Sequence, residues 1–78
     1  MLFNEVLEMI GQLNNVEVRY NNEPIVQIVK PDQNLEFEVN IYQDIAEICI
    51  YKNEQVQIEH DTTDKNELAQ LLETFDNL

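Results

Sequence analysis

The chain has 78 residues, of which sixteen are Asp or Glu and four are Lys or Arg, giving a formal net charge of -12. This length predicts a single domain over residues 1–78, with no room for a second core. Its longest apolar runs fall far short of the roughly 20 residues that a membrane span requires. Four basic residues are too few to neutralise a phosphate backbone, so direct nucleic-acid binding is also disfavoured.

The first predicted element is an amphipathic helix from about Phe3 to Asn14. Its apolar residues recur at i, i+3, i+4 and i+7, which is the spacing of one buried stripe: Leu2, Phe3, Val6, Leu7, Ile10 and Leu13. Gly11 is unfavourable inside a helix, so its presence suggests close packing against a sheet.

Two strands follow this helix. Val16 to Tyr20 alternates, with Val16, Val18 and Tyr20 predicted to face inward and Glu17 and Arg19 outward. Ile25 to Lys30 is apolar on both faces, so the alternation does not show which of its side chains face the core. Pro31 to Asn34 has the composition of a turn.

The stretch from Leu35 to Tyr51 predicts a hairpin closed by Gln43 and Asp44. Its inward pairs would be Phe37 with Ile50, Val39 with Ile48 and Ile41 with Ala46. Its outward pairs would be Glu36 with Tyr51, Glu38 with Cys49 and Asn40 with Glu47. A slip of one residue would send an apolar set to the wrong face, so the pattern specifies this register.

Gln55 to His60 is the predicted fifth strand, reached through a three-residue loop at Lys52 to Glu54. Pairing Ile50 with Val56 and Ile48 with Ile58 keeps apolar residues together. It also places Glu47 opposite Glu59 and puts His60 opposite Ala46, as a partly buried structural histidine.

The last predicted element is a second amphipathic helix, with a capping-box-like pair at Asp64 and Glu67 or a cap at Thr63. The buried stripe is Leu68, Leu71, Leu72, Phe75 and Leu78, while Glu73 and Asp76 are expected to face solvent. The predicted fold is therefore α+β: an N-terminal helix, an antiparallel meander of four to five strands and a C-terminal helix, with both helices on one face of the sheet.

The residues required for most catalytic sites are missing. The chain has no Ser, one His and one Cys, which excludes a Ser-His-Asp arrangement, and its single Gly excludes a phosphate-binding loop. Asp61 to Asp64 lacks the loop glycine of a calcium-binding EF-hand. We therefore expect no enzyme activity, no cofactor and no metal. One cysteine and the lack of a signal-peptide pattern favour a cytoplasmic protein.

The acidity points instead to a protein partner. Rows of carboxylates on a sheet can imitate the negative field of nucleic acid, so the expected target is a basic nucleic-acid-binding protein or nuclease. The predicted partner-binding residues are Glu17, Glu36, Glu38, Asp44, Glu47, Tyr51 and Glu59. In size, acidity and helix–sheet–helix layout the chain resembles the small acidic inhibitors of phages, which include DNA mimics, anti-restriction proteins and anti-CRISPR proteins. No motif carries this resemblance.

Other functions fit the same composition. An immunity protein for a basic nuclease toxin would use the same acidic surface. A structural or adaptor module, or a homodimer, would instead use the outward apolar residues Tyr42, Ile45, Cys49 and Tyr51 or the edge strand Gln55 to His60. In that case the charge would serve only solubility.

Overall fold

A computed structural model describes all residues, 1–78. The chain forms seven regular elements and one short 3-10 helix at Pro31–Gln33: α1 (Phe3–Gly11), β1 (Glu17–Asn22), β2 (Ile25–Lys30), β3 (Leu35–Tyr42), β4 (Ile45–Lys52), β5 (Gln55–Thr62) and α2 (Lys65–Asp76). The five strands form one antiparallel sheet in the order β1-β2-β3-β4-β5. The predicted α+β meander is confirmed, with five strands. Neither helix is long and apolar enough to cross a membrane.

The β3–β4 hairpin has the predicted register. Phe37 pairs with Ile50, Val39 with Ile48, and Ile41 with Ala46, and the loop consists of Gln43 and Asp44. Gln43 adopts a left-handed φ of 57°, which a two-residue loop requires at one position or both. The alternation of apolar and polar residues therefore fixed this part of the sheet.

A single cluster of twelve buried apolar residues forms the core. Both helices contribute to it, through Phe3, Val6 and Ile10 of α1 and Leu68, Leu72 and Phe75 of α2, and the sheet contributes Val26, Ile28, Phe37, Val39, Ala46 and Ile48. The strand pairings place these six sheet residues on one face. The pairings also show the orientation of β2: its Val26, Ile28 and Lys30 side chains point to the core.

The edge strands differ from the prediction because their side chains are not covered. Every residue of β1 is exposed, including Val18 at 53% and Tyr20 at 44%, which were expected to face inward. A β-bulge at Arg19 shifts the pairing between Val18 and Tyr20, so Tyr20 pairs with Gln27 and lies on the outer face. Val18 pairs with Ile28 on the core side, but at the sheet edge it remains outside the packed cluster.

The predicted register of β5 was wrong by two residues. Lys52 pairs directly with Gln55 across a two-residue turn whose residues, Asn53 and Glu54, both have positive φ. That turn alone would set Ile50 against Gln57. A bulge at Gln57 restores an apolar pair, Ile50 with Ile58, because the extra residue moves the following side chains by one position.

This shift changes the neighbours of the acidic residues. Glu47 lies opposite Asp61 rather than Glu59, and Glu59 lies opposite Cys49. Val56 and Ile58 are 49% and 47% exposed, so the expected burial of this strand is not found.

Helix α1 is shorter than predicted and ends at Gly11 rather than Asn14. Leu2 lies before the helix and is 69% exposed, so it does not belong to the buried stripe. An added Cβ on Gly11 would meet nothing within 4 Å, so this glycine does not mark close packing against the sheet.

A buried polar cluster joins the ends of the two helices, and it reverses the expectation that Asp76 faces solvent. Asp76 is only 6% exposed, and its Oδ1 accepts hydrogen bonds from the backbone N–H groups of Asn14 (3.2 Å) and Asn15 (2.8 Å). Lys30, also 6% exposed, donates from Nζ to the backbone oxygens of Asp76 and Leu78, each at 2.7 Å. Its positive charge at the C-terminal end of α2 complements the helix dipole.

We predict that Asp76→Ala lowers the free energy of unfolding by about 2 kcal/mol, because the charge-assisted bonds to two loop N–H groups are lost. Urea unfolding at neutral pH measures the change. Glu73→Ala is the matched control, since Glu73 lies one turn earlier on α2 and is exposed. Its expected effect is within about 0.5 kcal/mol. Equal effects of the two substitutions would contradict the structural role of Asp76.

Candidate protein-binding face

The face of the sheet opposite the core cluster is called the open face here. The strand pairings define three rows that cross all five strands: Glu17, Val29, Glu36, Tyr51 and Val56; then Tyr20, Gln27, Glu38, Cys49 and Glu59; then Asn22, Ile25, Asn40, Glu47 and Asp61. None of these residues is buried, whereas the other face of the central strands has buried apolar residues: Val26, Ile28, Phe37, Val39, Ala46 and Ile48. The open face therefore has no helix packed on it.

The composition of the open face is acidic with apolar residues interspersed. It carries six carboxylates, and the guanidinium of Arg19 is its only basic group. The other basic residues act elsewhere. Lys30 is buried behind the sheet, Lys65 bonds to Glu5 at 3.0 Å, and Lys52 pairs with Leu35 on the core side.

The two open-face carboxylates of β3 are already engaged within the molecule, whereas the Glu17 carboxylate on β1 has no hydrogen bond or salt bridge. The bulge at Arg19 lets its side chain reach across the open face, where it forms an ion pair with Glu36 and donates to Gln27 Oε1 at 3.2 Å. Gln27 in turn donates its amide to Glu38. This network partly satisfies the charge of Glu36 and Glu38.

The carboxylates on β4 and β5 make fewer hydrogen bonds within the molecule and no ion pairs. Glu47 accepts one hydrogen bond from the Asn40 amide at 2.9 Å, and it stands opposite Asp61, a like charge on the neighbouring strand. Such a pair is destabilising. Glu59 and Asp61 have no hydrogen bond or salt bridge from their side chains and are exposed. Uncompensated negative charge is therefore concentrated at the β5 side.

Cys49 and Tyr51 occupy the middle of the open face. Burial raises the pKa of the Cys49 thiol, and the nearby charges of Glu59 and Glu38 raise it further. Burial also raises the pKa of Tyr51, with additional contributions from Cys49 and Glu38. Both side chains are therefore neutral at physiological pH, and the thiol lacks the thiolate character of a nucleophile.

Six of the seven predicted partner-binding residues come together on the open face: Glu17, Glu36, Glu38, Glu47, Tyr51 and Glu59. Asp44 lies outside the rows, exposed in the β3–β4 turn. Sequence reasoning missed Asp61, because the fifth strand was expected to end at His60. It also missed that the Arg19 side chain extends across the open face to Glu36. No periodicity signals a bulge, so neither residue could be placed from the pattern.

His60 links β5 to α2 and is not the partly buried residue that was expected. It lies opposite Ile48, and its exposed ring contacts Glu67 through Nε2 and Oε1 at 2.8 Å. Asp64 caps α2 by accepting the Asn66 N–H at 2.9 Å, so the cap is Asp64 rather than Thr63. Glu67 bonds to His60 instead of completing the capping box. His60 and Cys49 lie on different faces, as expected.

The open face has a shallow depression of about 400 Å³ at its acidic end, bordered by Glu38, Glu47, Cys49, Glu59 and Asp61. A second depression, of about 530 Å³, is bordered by Glu17, Val29, Glu36 and Tyr51. The chain has no group of three or more His, Cys, Asp or Glu side chains arranged to hold a metal ion. With a protonated thiol and no enclosed cleft, the arrangement suits contact with another macromolecule.

Comparisons with known proteins found no matching family model, no matching curated protein and no matching solved structure.

The contact between α2 and β5 predicts a pH dependence of stability. Hydrogen bonds from the Thr62 hydroxyl and from His60 lower the pKa of Glu67 in the folded state. A carboxylate with a depressed folded pKa contributes stability above its unfolded pKa, about 4.3, and loses it as pH falls through the folded value. Glu67→Gln should therefore destabilise the protein at pH 7 and have a smaller effect at pH 3.

Urea melts of both proteins at the two pH values measure this difference. Glu73→Gln serves as the control because the Glu73 side chain is exposed on the same helix. A penalty for Glu67→Gln that is as large at pH 3 as at pH 7 would contradict the assignment.

Proposed function

We propose that this chain is a protein-binding inhibitor that imitates nucleic acid and blocks a basic DNA- or RNA-binding protein or nuclease in the cytoplasm. The observation that carries the proposal is the uncovered open face, whose six carboxylates are opposed by one guanidinium that is already paired with Glu36. The proposed role is binding rather than catalysis.

The spacing of the carboxylates supports mimicry. Residues two apart on a strand are about 6.7 Å apart, and neighbouring strands are about 4.8 Å apart. Glu36 and Glu38 on β3, and Glu59 and Asp61 on β5, have the first spacing. This repeat of negative charge is on the same scale of several ångströms as along one DNA strand, whose charges recur about every 3.4 Å of the helix axis. A groove that binds phosphates would thus meet negative charge at intervals on this scale.

Electrostatics also favour a basic partner over a second copy. Two copies meeting through their open faces would bring six carboxylates against six, at a net charge of -12 on each chain. A cationic surface would instead be steered toward the open face, with fast association that weakens as salt rises. The apolar side chains between the acids, such as Tyr51 and Val29, would add contact area that a small anion lacks.

Exposed apolar residues support a second candidate, an adaptor or homodimer. Tyr42 is 60% exposed and pairs with the half-buried Ile45 at the end of the β3–β4 hairpin. An interface centred there would persist at about 0.5 M salt, where the screening length is only a few ångströms. An immunity protein for a basic nuclease would use the open face itself, so only the identity of the partner separates it from a phage-type inhibitor.

The proposal is tested by charge reversal on the open face. The variant Glu47→Lys, Glu59→Lys, Asp61→Lys is immobilised beside the wild type and exposed to a lysate of the organism that encodes the chain, at about 50 mM salt. The wild type should retain basic nucleic-acid-binding proteins, identified by mass spectrometry, and release them to a duplex oligonucleotide. The variant should retain at least tenfold less, since long-range attraction is strong at this salt.

The matched control is Glu8→Lys, Asp32→Lys, Glu73→Lys, which changes the net charge equally at exposed carboxylates off the open face. Its retention should stay within about twofold of the wild type, because these positions do not contact the partner. Equal losses in the two variants would show that total charge, not the open face, is recognised. Retention of proteins that do not bind nucleic acid would overturn the proposed partner class.

A further inference from the structure

The outer edge of β5 is an unused pairing site. Residues Gln55 to Asp61 are all exposed, and the strand pairs only with β4. After the bulge at Gln57, the pairing from Ile58 to Thr62 is regular. The edge therefore presents a row of backbone N–H and C=O groups that no other strand of the sheet occupies, which is the template for strand addition.

The other edge of the sheet is less suited to this role. The bulge at Arg19 interrupts β1 in its middle, between Val18 and Tyr20, so no long regular stretch is available. Arg19 also places a cation there, although it is paired with Glu36.

Charge selects what can pair with β5. The strand has no Lys and no Pro, the residues that commonly protect edges, and its only carboxylates are those of Glu59 and Asp61. Their carboxylates have no partner within the molecule. A second copy of β5 would bring the same two negative charges to the shared edge, whereas a cationic strand would neutralise them.

We propose that β5 accepts an extended segment of the basic partner as a sixth, antiparallel strand, with basic residues at alternate positions opposite Asp61 and Glu59. This inference rests on the proposed function and specifies how the partner is recognised. Residues two apart on one strand face residues two apart on the next, so a basic-x-basic spacing matches the two carboxylates. The residue of the added strand that follows the second basic residue lies opposite Ile58. Ile58 is on the core side and 47% exposed, so an apolar residue is favoured there.

Short peptides provide the probe. The sequence Thr-Lys-Thr-Lys-Val, acetylated and amidated, places its lysines opposite Asp61 and Glu59, while the isomer Thr-Thr-Lys-Lys-Val places only one there. Titration followed by the amide resonances of β5 should show the first peptide binding about threefold more tightly, the scale of one cross-strand ion pair. In the variant Glu59→Gln, Asp61→Asn the two peptides should bind equally.

Backbone methylation tests whether the contact is a strand. N–H groups alternate between the two edges of a strand, so only one alternate set of the peptide's N–H groups can bond to β5. One peptide carries a methyl group on the backbone nitrogen of each lysine. A second carries methyl groups on the backbone nitrogens of the central threonine and the valine. Strand addition predicts that one loses binding at least fivefold and the other does not. Two peptides that bind as well as the parent would overturn the proposal.

Three further outcomes are decisive. A dimer of the free chain in sedimentation, strengthened in the variant Glu59→Gln, Asp61→Asn because like charges are removed from the shared edge, would assign the edge to a second copy and overturn the proposal. The two isomeric peptides could bind equally to the wild type while capture of basic proteins still depends on the open face. That result would overturn strand addition and leave the proposed function intact. Capture that is independent of the open face would instead overturn the proposed function.

Discussion

The period of two along β3 and β4 determines both faces of the sheet. Each apolar residue that the hairpin places in the core, such as Phe37 or Ile48, forces its neighbours to the other face. Those neighbours include Glu36, Glu38 and Glu47. The core and the acidic open face are thus two consequences of one alternation, and neither can shift by a residue without the other.

The distribution of charge sets the open face apart from an ordinary solvated surface. Where charge serves the fold, it is matched: Lys30 and Asp76 are buried with hydrogen-bonded partners that hold the helix ends. On the open face, Glu47 instead stands opposite Asp61, a placement that opposes folding. Helices of nine and twelve residues contribute side chains to the core cluster, whereas this charge stays exposed. A binding partner would supply the missing compensation.

The sequence predicted the elements whose signals are local. The matched apolar pairs gave the β3–β4 register, and the Asp64 cap marked the start of α2. The β5 register was missed because bulges follow from a compromise between turn geometry and apolar pairing, not from a residue pattern. Asp76 was missed because its partners, Asn14 and Asn15, are about sixty residues away in sequence. Helical periodicity alone assigned it to solvent.

The same limits apply to the open face. Six of its seven predicted residues share one face because strand parity places them there, and parity is readable from sequence. The pairing of Arg19 with Glu36 is not readable, since it depends on the bulge in β1. Because Glu36 is paired with Arg19, the carboxylates most available to a partner are the unpaired ones of Glu59 and Asp61, beside the free edge of β5.

In the proposed function, the open face occupies the nucleic-acid site of the partner. The most direct measurement is fluorescence anisotropy of a labelled duplex bound to the captured partner, during titration with the unlabelled chain. Mimicry predicts that the chain releases the duplex completely, with a stoichiometric end point, because the partner's site can hold only one of the two. A ternary complex of partner, duplex and chain that forms without loss of anisotropy would show that the chain does not imitate nucleic acid.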